Sequence, residues 1–139
     1  MYSRKHLYTV ITPERLWEEY SDEPGIYRCG RGSHPALKKL RFNKDLHCGI
    51  DPFVDDPLIL PNPAMGISFA DSIQTLKRQP VNGVAWLLPS GRQLPKGLVF
   101  NYKDKYHPLL NVEVPMPASE FKRLLDQLAK LMECTKIKV

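Results

Sequence analysis

Paired cysteines and long apolar runs are both missing from this chain. Its three cysteines, Cys29, Cys48 and Cys134, have the spacing of neither a disulfide framework nor a zinc site. We therefore expect reduced thiols, no disulfide partner and a cytoplasmic location. The stretch MYSRKHLYTV has no apolar core long enough for a signal peptide, and no window approaches a membrane span. These absences predict a protein without a membrane partner, delivered to another cell, if at all, by a route other than general secretion.

The motifs that identify common enzyme and binding classes are absent as well. None of the four histidines sits in a recognisable hydrolase motif, and there is no GxSxG elbow. The glycine-arginine-glycine loop at 30–32 lacks the patterns of a P-loop and of a dinucleotide-binding unit. No RRM, KH or helix-turn-helix pattern appears, and like charges form no tail. A functional site must therefore be sought in residues scattered along the chain, and we expect no metal.

The composition is that of a folded chain with a basic surface. Its 139 residues, 42% hydrophobic and 25% charged, fit one domain over 1–139. Thirteen prolines favour short strands joined by ordered loops over a helical bundle. The net charge of +5 favours anionic partners such as nucleic acid, nucleotides or an acidic protein, although a solvated basic surface explains it equally well.

Periodicity and turn signals predict an α+β fold with short helices at its edges. Strands are expected at residues 7–11, 25–29, 65–69, 84–88, 97–101 and 109–114. Helices are expected at residues 12–20, 35–41, 71–78 and 119–134. Residues 42–60 are expected to form a long surface loop, and 135–139 a frayed end. The apolar stripe of the last predicted helix indicates that it packs on the core.

Chemistry-bearing residues stand on three of these predicted strands. Gly66 lets a ligand approach the backbone, and Ser68 can line that space. Arg28 ends an early strand, before a glycine-rich loop where arginines and backbone N–H groups could hold phosphate. Glu113 lies in the late strand, where alternation places Leu110, Val112 and Val114 on the opposite face. Solvent-facing side chains are the plainer interpretation at each position.

Taken together, Arg28, Ser68 and Glu113 follow the order of the arginine–serine–glutamate layout of ADP-ribosyltransferases. An arginine can hold the pyrophosphate of NAD through paired hydrogen bonds, and a serine can shape the nicotinamide pocket. A carboxylate can bind the 2′-hydroxyl of the nicotinamide ribose and stabilise the cationic transition state as nicotinamide leaves.

Longer segments carry a closer resemblance. They are Tyr27-Arg28, Gly66-Ile67-Ser68, the Leu-Pro-Ser-Gly turn at 88–91, the Pro-Lys-Gly-Leu segment at 95–98, the late strand before Pro115 and the terminal helix. Over roughly residues 26–130 the chain resembles the NAD-dependent cytotoxic effector family delivered by type VI secretion. It departs from that family where a His-Tyr pair often stands, because Leu110 and Asn111 occupy those positions.

The resemblance implies an ADP-ribosyltransferase-like mixed β core with flanking short helices and a C-terminal helix. It implies a toxin that binds NAD and transfers ADP-ribose to an unknown acceptor or hydrolyses NAD in the recipient cytoplasm, and a cognate immunity protein. Arg28, Ser68 and Glu113 would be catalytic. Tyr27, Gly66 and Phe69 would join Arg28 and Ser68 in binding NAD. Asn111 and His107 remain alternatives to Glu113.

Two other functions fit the sequence. A non-enzymatic RNA- or DNA-binding module would use the basic residues Arg31, Lys38, Lys39 and Arg41, together with exposed tyrosines for stacking. An RNA 2′-phosphotransferase shares the NAD-binding fold, but the several arginine and histidine contacts that it needs to RNA phosphate have no clear place here.

Overall fold

A computed structural model describes residues 25–37, 39–48, 55–102, 104 and 106–139 of the chain. These residues contain nine strands and two helices. The strands are β1 Gly25–Gly30, β2 His47–Cys48, β3 Leu58–Leu60, β4 Ile67–Ser68, β5 Val84–Pro89, β6 Leu98–Tyr102, β7 Pro108–Val112, β8 Met116–Pro117 and β9 Glu133–Lys138. The helices are α1 Ile73–Lys77 and α2 Ala118–Leu131. The predicted strand at 7–11 and helix at 12–20 lie outside the described residues.

The strands form three antiparallel sheets of three strands each, with the orders β1-β5-β9, β2-β3-β8 and β4-β7-β6. A backbone bridge joins the first sheet to the third: Tyr27 N donates to Ala70 O at 2.7 Å, and Ala70 N donates to Tyr27 O at 2.7 Å. Sheets and helices together confirm the predicted α+β class. Within the described residues, neither helix has the length and apolar character needed to cross a membrane.

Helix α2 packs on the core through the stripe that the sequence predicts. Phe121, Leu124, Leu125 and Leu128 are buried in one cluster with Leu110 and other apolar side chains of the sheets. The start of α2 has no capping side chain of its own, because Pro117 occupies the N-cap. The carboxylate of Asp56 caps the helix instead, because it accepts hydrogen bonds from Ser119 N and Ser119 Oγ at 2.6 Å each.

Glycine allows β4 to lie against β7. Gly66 has φ +156°, and a Cβ atom there would sit 2.7 Å from the carbonyl oxygen of Leu110. The close approach predicted at Gly66 is therefore made by the protein's own backbone. After β4, Ser72 caps α1 by accepting a hydrogen bond from Thr75 N at 3.0 Å.

Most of the predicted strands are confirmed with shifted bounds, whereas three other local predictions are wrong. The helix at 35–41 is absent from its described residues, since Ala36 has φ +59°, outside the helical region. The long loop at 42–60 contains β2 and β3. The expected frayed end belongs to β9, where buried Thr135 donates its hydroxyl to Ala85 O at 2.8 Å.

The late strand also differs from its prediction. Strand β7 ends at Val112, so Glu113 and Val114 follow it and are exposed. Leu110, Asn111 and Val112 are all fully buried or nearly so, which shows that both faces of β7 are covered. The predicted alternation of Leu110, Val112 and Val114 therefore fails at its last member.

Candidate functional site

A cavity of about 320 Å³ opens where β1, β4 and the end of α1 meet. Its lining residues are Arg28, Cys29, Ser68, Leu76, Gln79, Val81 and Asn82. Arg28 and Ser68, singled out by the sequence on separate strands, therefore share one concave surface. Burial raises the pKa of the Cys29 thiol despite the nearby Arg28 cation, so this cysteine is not an activated nucleophile.

The guanidinium of Arg28 is held by three hydrogen bonds to backbone carbonyls. Nε and Nη2 donate to Ala36 O at 3.2 and 2.9 Å, and Nη1 donates to Ser68 O at 2.6 Å. A guanidinium carries five N–H groups, so one hydrogen on each terminal nitrogen is left for a further acceptor. Arg28 therefore fixes the cavity wall and still presents donors suited to an anion.

An aromatic pair lies beneath this cation. The Arg28 guanidinium carbon is 5.5 Å from the centre of the Phe69 ring, within the range of a cation–π contact. Phe69 is buried and meets Phe100 edge-on, with 5.1 Å between ring centres. Burial lowers the pKa of Arg28, an effect that Asp45 opposes, but an arginine remains cationic in a folded protein. Phe69 thus supports Arg28 from below and is not itself exposed to a ligand.

A second cavity of about 260 Å³ lies beside the first and shares Gln79 with it. Its other lining residues are Thr75, Arg78, Tyr106 and His107. We call these two neighbouring cavities the α1 groove, because residues of α1 and the turn after it line both. The groove is lined by Arg28, Ser68 and Asn82 in the first cavity, by Arg78 and His107 in the second, and by Gln79 in both. Guanidinium, hydroxyl and amide groups such as these bind phosphates and sugar hydroxyls.

The pairing of β4 with β7 explains how His107 comes to the groove. Ser68 pairs with Leu109, and Phe69 N donates to Pro108 O at 2.9 Å. One step further, Asp71 N donates to Tyr106 O at 2.9 Å, which ties the loop before β7 to the start of α1. His107 therefore lies at the end of β7 nearest to Ser68.

A carboxylate orients the His107 ring. Nδ1 of His107 is 3.1 Å from Asp104 Oδ1, and the same oxygen accepts hydrogen bonds from Tyr106 N at 2.7 Å and His107 N at 2.9 Å. Partial burial of Asp104 acts to raise its pKa, but these three donors outweigh that effect and lower the pKa below its usual range. Asp104 is therefore a fixed carboxylate beside a half-exposed imidazole.

The other two late-strand candidates lie elsewhere. Glu113 is exposed, and its backbone N donates to Gly97 O at 2.8 Å. Since a strand advances about 3.3 Å per residue, Glu113 lies roughly 13 Å along the chain from Leu109, the partner of Ser68. Asn111 is fully buried, and its amide donates to Met65 O at 3.0 Å and to Asn62 O at 3.3 Å. Of the three, His107 alone lines the α1 groove.

Two predicted NAD contacts face the interior. Tyr27 is fully buried in a cluster with Ala70, Ile73, Leu76, Ala85 and Leu87. Gly66 is buried against β7. Neither lines the groove, whereas Gln79, Arg78 and Asn82 do, and the sequence carries no signal for these three.

The proline-glycine motif at 88–91 borders a third cavity, of about 200 Å³. Its walls include Phe100 and Tyr102 of β6 and the turn from Pro89 to Arg92. Arg92 donates to Leu131 O at 3.0 Å and to a Glu133 carboxylate oxygen at 2.5 Å, tying this turn to the end of α2. The turn that begins with the motif is therefore linked to the end of the last helix through Arg92.

The described basic residues of the alternative nucleic-acid surface are all exposed. Arg31 and Lys39 are exposed, and Arg41 pairs with Asp45 at 2.5 Å. Lys38 lies outside the described residues. In the part of the chain that the structure describes, no three histidine, cysteine, aspartate or glutamate side chains group as metal ligands. The three cysteines are free thiols.

Comparison with known proteins gives no relative for this chain: no protein-family model matches it, nor does any curated protein or solved structure. The α1 groove and the sequence motifs are therefore the features from which a function can be inferred.

Proposed function

We propose that this chain is a bacterial effector toxin that binds NAD in the α1 groove and transfers ADP-ribose to a target or hydrolyses NAD in the recipient cytoplasm. The arrangement would be an ADP-ribosyltransferase-like one, and a cognate immunity protein would neutralise it. The observation that carries the proposal is the shared cavity of Arg28 and Ser68, which stand 40 positions apart in the chain. The sequence motifs select the same two residues.

The size and chemistry of the groove support a dinucleotide. Ligand cavities commonly enclose about 300–1,000 Å³, and the two cavities of the groove, about 320 and 260 Å³, lie within or just below that range. The two free N–H groups of Arg28 and the guanidinium of Arg78 supply positive charge for a pyrophosphate. Ser68, Gln79 and Asn82 supply hydrogen-bonding groups for ribose and carboxamide.

An acidic immunity protein would complement the net charge of +5. Such a partner could inhibit by covering the groove, because Arg78 and Tyr106 at its rim are exposed. The acceptor of ADP-ribose stays unassigned in this proposal, and water is the acceptor in the hydrolytic form of the reaction.

The test combines thermal unfolding with and without millimolar NAD and detection of released nicotinamide. Binding to the native state alone raises the unfolding temperature, and we expect a rise of about 3 °C or more. Ser68→Trp, which fills the first cavity, should abolish both the rise and the release. The matched control is Gln93→Trp at an exposed position beside the third cavity, and it should retain both.

A wild-type protein with no NAD-dependent rise and no nicotinamide release would contradict the proposal. If that protein instead bound RNA or DNA with a steep dependence on salt, the basic surface that includes Arg31 and Lys39 would become the better account.

A further inference from the structure

The Asp104–His107 pair has no part in binding NAD as proposed above, yet its histidine lines the α1 groove. His107 contributes to the wall of the second cavity together with Thr75 and Arg78. The cavity shares Gln79 with the one that contains Arg28 and Ser68. A histidine held by a carboxylate at the rim of a binding groove is an arrangement suited to general base catalysis.

The Asp104 carboxylate favours one tautomer of the neutral imidazole. Asp104 Oδ1 is 3.1 Å from Nδ1 of His107, and the carboxylate can only accept a hydrogen bond. Nδ1 therefore carries the proton of a neutral ring, which leaves Nε2 as the acceptor. The backbone N–H groups of Tyr106 and His107 hold the same oxygen at 2.7 and 2.9 Å, so the carboxylate and the ring are fixed together.

We propose that His107 is the general base that activates the acceptor, with Asp104 as its positioning residue. The inference rests on the proposed function. The acceptor is a hydroxyl compound or water seated in the second cavity. Its oxygen forms a bond to C1′ of the nicotinamide ribose while the glycosidic bond to nicotinamide breaks. The bonding pair leaves with nicotinamide, which becomes neutral, and the acceptor proton moves to Nε2 of His107.

The surroundings of the pair agree with this role. Arg78 of the segment after α1 lines the same cavity, and its cation favours an acceptor oxygen that gains negative charge as it loses its proton. Tyr106 lines it from the loop of His107 itself. The hydrogen bond from Asp71 N to Tyr106 O, at 2.9 Å, ties the residue before His107 to the start of α1.

The experiment measures nicotinamide release by the full chain in a desalted bacterial extract with added NAD, where water and macromolecular acceptors are both present. His107→Ala should lower the rate by about 100-fold or more and leave the NAD-dependent rise in unfolding temperature unchanged. Added imidazole should restore part of the lost rate, because it can occupy the space of the missing ring and accept the proton. Asp104→Asn should lower the rate by about tenfold.

The matched control is His47→Ala, which removes an exposed histidine of β2 outside the groove and should keep the wild-type rate. A His107→Ala protein that keeps its rate would overturn the inference while the proposed function stands. A variant that loses the rate together with NAD binding, or that imidazole does not rescue, would assign His107 to loop structure and also overturn it. If the wild-type protein neither binds NAD nor releases nicotinamide, both proposals fail together.

Discussion

The two ends of strand β7 differ in what surrounds them. At the Pro108 end the strand meets β4 and α1, and His107 lines an open groove with Arg78 and Gln79. At the Val112 end, Asn111 and Val112 are buried. Glu113 N, just after β7, donates to the oxygen of Gly97, just before β6, at 2.8 Å. Polar side chains are therefore accessible at the Pro108 end, whereas polar groups at the Val112 end form hydrogen bonds to neighbouring segments.

This difference bears on how a late strand is interpreted from sequence. Glu113 is conspicuous because it stands between valines, but it follows the end of the strand and faces solvent. His107 is less conspicuous, since it lies in a polar loop, yet strand pairing brings that loop to the groove. We therefore expect substitutions of the buried residues at the Val112 end to change stability and those of groove residues at the Pro108 end to change chemistry.

The largest effect on stability should come from Asn111→Leu. The substitution removes two donors from the carbonyls of Asn62 and Met65 and the acceptor of Val112 N, at a fully buried position. Since each buried polar group left unpaired costs about 1–3 kcal/mol, we expect a loss of about 3 kcal/mol in the free energy of unfolding. Denaturant unfolding measures it.

The matched control is Asn101→Leu, because Asn101 also donates to Asn62 O at 3.3 Å but is only half-buried. Its loss should be about 1 kcal/mol or less. Equal losses for the two variants would show that burial at the Val112 end does not distinguish them.

Arg28→Lys should have the next largest effect, and it should change both the stability of the protein and its NAD binding. A lysine keeps the charge but cannot make the paired contacts to Ala36 O and the third contact to Ser68 O. We expect a loss of about 2 kcal/mol in the free energy of unfolding and loss of the NAD-dependent rise in unfolding temperature. Arg92→Lys, which changes an arginine bound to Leu131 O outside the groove, should retain the NAD response.

Asp56→Asn should weaken the start of α2, which follows the Val112 end through β8. Hydrogen bonds from the Ser119 hydroxyl and backbone N–H lower the pKa of the Asp56 carboxyl. A lowered folded-state pKa means that this stabilisation is complete above about pH 4, the ordinary range of the carboxyl, and is lost as the pH falls through the folded-state value. The variant should unfold at a lower temperature at pH 7.

The same variant should also lose less stability than the wild type between pH 5 and pH 2, as thermal scans would show. Asp55→Asn at the exposed neighbouring position is the control. A pH response of Asp56→Asn equal to that of the wild type would argue against the cap.

Glu113→Gln should have the smallest effect. The side chain is exposed, and the hydrogen bond from Glu113 to Gly97 O uses the backbone. We expect a change within about 0.5 kcal/mol in stability and no change in nicotinamide release. A loss of release of about 100-fold would return Glu113 to the catalytic role that the arginine–serine–glutamate order suggests and would break the distinction between the two ends.

The sequence predicts elements whose signals are local. Strands β1, β5 and β6 are apolar runs between turns, and α2 has a clear apolar stripe. It does not predict β9, because that strand is stabilised by pairing with β5, about fifty residues earlier in the chain. Strands β2 and β3 are short pieces in a proline-rich segment and depend on pairing with each other and with β8.

In the candidate site too, local signals predict some residues, whereas contacts between distant segments bring in the others. Residue type and strand order predict a role for Arg28 and Ser68, and both line one cavity. Their support is not visible in the sequence, since Arg28 binds the carbonyl of Ala36, a residue whose positive φ no local pattern indicates. Gln79 and Arg78 reach the groove only because α1 ends beside it.

The most direct test of the central claim, that NAD binds in the α1 groove at the Pro108 end of β7, is an NMR titration of the nitrogen-15-labelled chain with a non-hydrolysable NAD analogue. If NAD binds there, the amide signals of Ser68, Gln79 and His107 shift on binding, while those of Gly97 and Glu113 stay in place. Shifts confined to Gly97 and Glu113, or to the turn at 89–92 beside the third cavity, would contradict it.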